Sequence, residues 1–149
     1  MKILLAVDGS PVALAAVRHA LRWASEGLQV EFVLATVQEP PSLYEVVVAH
    51  DPAVLDAVRT AAGADMMAAA AALLDAAGQS YEAEVAGGEP GHVLVDLIER
   101  YGCDAVVAGA TGAGGDSGAI GSVATALLRH SPVPVTLVRL AEAAADTPS

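Results

Sequence analysis

The stretch Gly109–Ala110–Thr111–Gly112–Ala113–Gly114–Gly115–Asp116–Ser117–Gly118–Ala119–Ile120–Gly121–Ser122–Val123 decides how this chain is read. Before it stands Ala105–Val106–Val107–Ala108, an apolar run with the unbroken hydrophobicity of a buried strand. After it Val123, Ala124, Leu127 and Leu128 recur at helical spacing. The order is strand, glycine loop, helix start. Glycines let backbone N–H groups turn toward one point without a Cβ in the way. The helix that follows adds its unpaired N–H groups and about half a positive charge. Two readings of the loop stand side by side: a cradle for an anion, phosphate above all, or a glycine-rich connection that binds nothing. The standard signatures do not separate them. No frame gives G-x-G-x-x-G, and G-x-x-x-x-G-K-[ST] is ruled out because Lys2 is the only lysine.

Working outward, residues 133–138 are apolar at nearly every position and read as a last strand. Upstream, Gly87–Gly88–Glu89–Pro90 leads into a helix with Val93, Leu94, Leu97, Ile98 and Tyr101 as its buried stripe. Tyr81, Ala83 and Val85 alternate with Glu82 and Glu84, the pattern of a half-exposed strand at a sheet edge, the two glutamates being solvated edge protection. A long helix from Asp51–Pro52 to about Ala77 turns Val54, Leu55, Val58, Ala62, Met66, Ala69, Leu73 and Ala77 inward, with Gly78 as its stop. Residues 42–50 are too apolar for a free loop and read as a cover over that helix, a lid or a dimer contact.

The amino-terminal third has the same alternation. Residues 2–7 carry almost no polar interruption, as a parallel strand covered on both faces should. Asp8 stands at its carboxyl end, where open α/β sheets bind ligands. Asp8 also fits a second role, closing an Asx-type turn with Gly9 or Ser10. Ser10–Pro11 is a cap and first-turn pair for a helix with Leu14, Val17, Leu21 and Ala24 as its stripe and Gly27 as its end. Residues 30–37 form the second strand, stopped by Pro40–Pro41, and Val37 lies at the same sheet edge as Asp8.

Strand and helix therefore alternate throughout. The expected fold is a doubly wound five-stranded parallel α/β sheet of order 3-2-1-4-5 with helices on both faces, one domain over residues 1–140 and a disordered tail over 141–149. In that order the first strand is central and the fifth lies at an open apolar edge, which invites pairing with a second copy. A homodimer through the last strand is expected.

Composition narrows the function. Seven Lys and Arg against eighteen Asp and Glu give a net charge of −11, which argues against a nucleic-acid backbone or an anionic membrane as partner. Although 54% of residues are hydrophobic, much of that is alanine, and no uninterrupted apolar run approaches the ~18 residues needed to span a bilayer. Asp8 cuts the first apolar run too short for a signal peptide, so a cytoplasmic location is expected. Cys103 has no cysteine to pair with and reads as a core filler at the start of a strand. His19, His50, His92 and His130 lack metal-ligand spacing, and no metal site is expected. His19 reads as surface, His92 lies near the sheet's carboxyl edge, and His50 either approaches a ligand or is a solvated or capping histidine. The lysine and acidic cluster of response-regulator chemistry are missing, with Thr136 and Arg139 at the last strand. Ser10 and Ser122 have no histidine nearby in sequence and read as helix caps rather than nucleophiles.

Gly109, Gly112, Gly121 and Ser122 follow a G-x2-G, spacer, G-[ST] pattern that resembles the nucleotide loop of the universal stress protein family. Ser131–Pro132–Val133–Pro134–Val135 resembles the approach to that family's last strand, and Ile3–Leu4–Leu5–Ala6–Val7–Asp8–Gly9–Ser10–Pro11 resembles its opening strand. The resemblance implies the sheet described above, a dimer through the last strand, and ATP as ligand, with a divalent ion such as Mg held by the phosphates. It implies that Asp8 contacts the adenine, that Val37 packs on it, and that Gly109, Gly112, Gly121, Ser122 and Val123 present N–H groups and a hydroxyl to the phosphates. The spacer from Ala113 to Ile120 has eight residues where the family form has nine, and Asp116 places a negative charge within it. Two functions follow. One is a regulatory domain that binds adenine nucleotide with little or no hydrolysis, since no lysine or loop arginine stabilises a transferring phosphoryl group. The other is a dimeric stress-response interaction module of the same fold that binds no nucleotide.

Overall fold

A computed structural model describes residues 1–38, 52–111 and 119–140. Along them run β1 (Lys2–Ala6), α1 (Pro11–Ser25), β2 (Glu31–Gln38), α2 (Pro52–Ala76), β3 (Tyr81–Gly87), α3 (Pro90–Tyr101), β4 (Ala105–Gly109), α4 (Ser122–His130) and β5 (Val135–Val138). The five strands form one sheet of order β3-β2-β1-β4-β5, every pair parallel. The order is the expected one, with β1 at the centre and β3 and β5 at the edges.

The unbroken apolar runs have a simple cause. Successive strand side chains point to opposite faces, and here both faces are covered. Ile3, Leu5, Phe32, Leu34 and Val107 face a core completed by Ala13, Ala16, Val17 and Ala20 of α1 and Met67, Ala70 and Leu74 of α2. Leu4, Val33, Ala35, Val106 and Ala108 face the other side, against Leu94, Leu97 and Ile98 of α3 and Leu127 of α4. Each fully buried Leu, Ile or Val contributes about 1.5–3 kcal/mol to folding. Cys103 is buried in the second cluster, and burial pushes its thiol above the usual value, as a core filler requires.

Two helix stripes differ from expectation by one position. In α1 the buried residues are Val12, Ala13, Ala16, Val17 and Ala20, while Leu14 and Leu21 are only half-buried. Small residues face the sheet and let the helix lie close, so its larger leucines flank the contact. In α2 the buried positions are Met67, Ala70 and Leu74. Ala69 and Ala77 are exposed and Leu73 is half-buried. The side chains of Val54, Leu55, Val58, Ala62 and Met66 lie outside the described residues, as do residues 42–50 with His50, and 141–149. An alanine-rich helix offers no polar contrast to set the phase of its stripe.

At the β3 edge the alternation also breaks. Ala83 is exposed, and Glu84 is drawn toward α3, where it pairs with Arg100 and accepts the Tyr101 hydroxyl at 2.8 Å. Glu84 thus ties the end of α3 to the sheet edge, beyond the solvated role expected of it.

Candidate functional site at the carboxyl edge of the sheet

A parallel sheet brings all its carboxyl ends to one side. Register pairs Ala6 with Ala35 and with Ala108, so two residues further along Asp8, Val37 and Ala110 stand level. Of the expected site residues, Asp8, Val37, Gly109, Gly121, Ser122 and Val123 are described, and Gly112 lies outside the described residues, together with Asp116.

Asp8 is half-buried and closes the turn into α1. The Ser10 N–H donates to Asp8 Oδ1 at 3.0 Å and the Ser10 hydroxyl donates to the same oxygen at 2.5 Å. Gly9, between them, has φ 83°, a left-handed conformation that favours glycine. Ser10 itself is buried and accepts the Ala13 N–H at 3.2 Å, the expected cap of α1. Asp8 therefore fills the turn role that its neighbours allow while standing at the edge where ligands bind. Val37 is half-buried against the second core cluster, level with Ala86 of β3.

Gly109 ends β4 directly beneath the start of α1. A Cβ there would come within 2.9 Å and 3.1 Å of the two Val12 methyls and 3.2 Å of the Thr111 carbonyl, so glycine is what lets strand and helix approach. Just beyond it the Ala110 N–H donates to Val138 C=O at 2.8 Å, and the Gly121 N–H donates to Ala110 C=O at 2.8 Å. These two bonds close the neck of the glycine loop and bind it to β5.

Gly121, not Ser122, is the N-cap of α4, and among the described residues no side chain caps that helix. Ser122 is exposed and occupies the first helical position, which corrects the expectation that its hydroxyl is a cap. The first helical bond runs from Thr125 N–H to Gly121 C=O at 2.9 Å, which leaves the Ser122, Val123 and Ala124 N–H groups as the donors of the first turn. The other two described helix starts at this edge are closed by their own side chains. Ser10 caps α1, and Glu89 caps α3 by accepting the His92 N–H at 2.8 Å. That bond, reinforced by the nearby His92 and His130 rings, holds the Glu89 carboxyl below its usual range despite some desolvation. At α4 the three N–H groups and the helix dipole together favour negative charge.

His92 is exposed and stacks on His130, with ring centroids 6.2 Å apart, between α3 and α4. Sequence spacing did not bring these two together. Among the described residues no three His, Cys, Asp or Glu side chains are placed to hold a metal ion. One contributor was not legible as a site residue: Ala124 supplies the third donor of the first turn once the cap shifts to Gly121.

The five-stranded parallel sheet with helices on both faces places the chain in the class of doubly wound α/β domains. More narrowly, it belongs to the universal stress protein family, whose family model matches residues 1–139. No curated protein sequence matches it significantly. Among solved structures it is similar to the hypothetical protein MJ0577, with 25% identity and TM-score 0.78 over 93% of this chain and 95% of that one. It is likewise similar to the universal stress protein UspA from Lactobacillus plantarum, with 26% identity and TM-score 0.75 over 93% and 97%. A universal stress protein from Arabidopsis thaliana with AMP bound shares the fold, with 20% identity and TM-score 0.69 over 100% and 96%. Two further matching structures hold cAMP and, in a protein from Archaeoglobus fulgidus, dAMP. Among the described residues no helix is long and apolar enough to cross a membrane.

Proposed function

We propose that this chain is a regulatory domain that binds an adenine nucleotide at the carboxyl edge of its sheet, with ATP and its divalent ion as the physiological form and little or no hydrolysis. The observation that carries the reading is the start of α4, where three backbone donors open the helix and no side chain among the described residues caps it. Asp8 and Val37 stand level at the same edge to receive the nucleoside. Gly109, Gly121, Ser122 and Val123 are assigned to the phosphate end, as is Gly112, which lies outside the described residues. Gly121 spends its own N–H on the loop's neck, so the donors are those of Ser122, Val123 and Ala124. AMP, cAMP and dAMP in proteins of the same fold support the ligand class. The expected location is the cytoplasm, and a homodimer forms along the open edge of β5.

Isothermal titration calorimetry of the purified chain with AMP, ADP and ATP, each with and without Mg, tests the reading. Saturable binding that tightens with added phosphates supports it, and the absence of binding to all three refutes it. The second reading, a dimeric interaction module without nucleotide, is favoured by the eight-residue spacer with Asp116 inside it. That reading gains if the chain dimerises and yet gives no nucleotide heat.

A further inference from the structure

Two of the four histidines, far apart in sequence and without a metal-ligand motif, are brought together by the packing of α3 on α4. His92 stands in the first turn of α3 and His130 is the last residue of α4, and their ring centroids lie 6.2 Å apart with planes 23° from parallel. Tight packing sets that distance. A Cβ added at Gly91 would fall 2.5 Å from the Ala126 Cβ, so the helices meet as closely as glycine permits, one residue before His92 and one turn before His130. Both histidines are exposed, and among the described residues neither ring nitrogen takes part in a hydrogen bond. An imidazole nitrogen sits about 2.1 Å from a bound Zn²⁺ and its ring centre about 3.2 Å away, so two rings that share one ion have centres roughly 5–6.5 Å apart. The observed separation lies inside that range.

The charge around the pair suits a cation. Glu89 Oε2 stands 3.9 Å from His92 Nε2, and its carboxyl is held below the usual range first by the His92 N–H and further by attraction to the His92 and His130 rings. That oxygen caps α3, so Glu89 acts as a neighbouring charge and not as a third ligand, in keeping with the lack of a three-ligand cluster among the described residues. His130 also lies at the negative end of the α4 dipole. We propose that His92 and His130 form a two-imidazole anchor for one divalent transition-metal ion, Zn²⁺, Ni²⁺ or Cu²⁺, at the junction of α3 and α4, with water completing the coordination shell. Imidazole selects these borderline ions. The site is independent of the nucleotide reading, in which Mg, a hard ion that takes oxygen ligands, is held by phosphates.

Calorimetric titration of the full chain, free of nucleotide, with Zn²⁺, Ni²⁺, Cu²⁺ and, as control, Mg²⁺ tests the site. At least one of the first three should bind saturably at one ion per chain near neutral pH, with no matching heat from Mg²⁺. That binding should weaken about tenfold or more at about pH 5.5, where both imidazoles take up protons. His92→Gln and His130→Gln should each weaken it about tenfold or more, because either change leaves a single nitrogen ligand. His19→Gln, on α1 across the sheet from α3 and α4, should leave it unchanged. The two substituted residues are exposed, so both variants should melt close to wild type without metal, and thermal melts check this. A wild type that binds none of the three transition ions overturns the proposal. A loss below about threefold in either folded variant overturns it as well, since the ion would then not be shared. Equal binding of Mg²⁺ would assign the heat to carboxylates and overturn it too.

Discussion

Replacing Gly109 with alanine tests whether the approach of β4 to α1 is as tight as the structure shows. The new methyl would lie 2.9 Å and 3.1 Å from Val12 Cγ1 and Cγ2 and 3.2 Å from the Thr111 carbonyl oxygen. Comfortable carbon contacts begin near 3.5 Å, so roughly half an ångström must be found on each side. Val12 has little freedom to give it. It is buried in the first turn of α1, and a β-branched side chain in a helix has one strongly preferred rotamer. The strain should cost about 1–3 kcal/mol. With a urea dependence of about 2 kcal/mol per molar, the unfolding midpoint falls by about 0.5–1.5 M.

The companion variant is Val12→Ala, which removes the two methyls and by itself costs about 1–2 kcal/mol of burial. In the double variant the clash with Val12 is gone, and the two changes should be less damaging together than their sum by about 1 kcal/mol or more. Urea unfolding followed by circular dichroism, at one protein concentration so that any dimer contributes equally, reads all four proteins. A Gly109→Ala chain within about 0.5 kcal/mol of wild type would refute the reasoning. Strict additivity in the double variant would refute it as well.

At the open edge, the Val106 N–H donates to Pro134 C=O and the Ala110 N–H to Val138 C=O, so by the two-residue period the Leu137 N–H points away from β4. Leu137→Pro deletes that outward donor and should convert a dimer to a monomer in sedimentation velocity, while Leu137→Val stays dimeric. A monomeric wild type refutes the edge pairing. The bond to Glu84, with burial second, raises the Tyr101 phenol above its ordinary 10.0. Its contribution to stability is therefore complete below that value and lost as pH rises through the higher folded one. Glu84→Ala should move a tyrosine midpoint down in an ultraviolet phenolate titration and weaken the alkaline loss of stability, and an unchanged midpoint contradicts the assignment. Because the net charge is −11, the nucleotide association rate should rise as salt goes from about 10 to 150 mM and shortens the screening length from about 30 to 8 Å. Stopped-flow rates that fall instead would mean that a local positive field dominates the approach.

The fold was legible because it rests on contrasts that sequence carries well. Continuous runs at β1 and β4 announced strands covered on both faces, and Glu82 and Glu84 announced an edge. Where contrast is missing, the reading slipped. Ala13, Ala16 and Ala20 are the residues α1 turns to the sheet, yet the larger Leu14 and Leu21 carry the stronger hydrophobic signal and drew the stripe toward themselves. In α2 the alanines around Ala70 left Leu73 and Leu74 equally good anchors. Glu84 was misjudged because its partners, Arg100 and Tyr101, are remote in sequence and arrive only when α3 packs.

The candidate site is harder to read for a different reason: its donors are backbone atoms. Residue types at Gly121 and Ser122 do not show which of the two caps α4, yet that single step determines whether a hydroxyl or three bare N–H groups face the loop. Nor does a charge count help. Eighteen carboxylates spread along the sequence act at long range and are screened within about 8 Å at physiological salt, whereas N–H groups and a helix dipole act at contact. An acidic chain can thus present a local anion site, provided the acids near that site are engaged. Among the described residues, Asp8 at the end of β1 is held by two Ser10 donors, and Glu89 is turned onto the start of α3. Both carboxylates are partly neutralised by backbone donors at the very edge where a phosphate would have to approach.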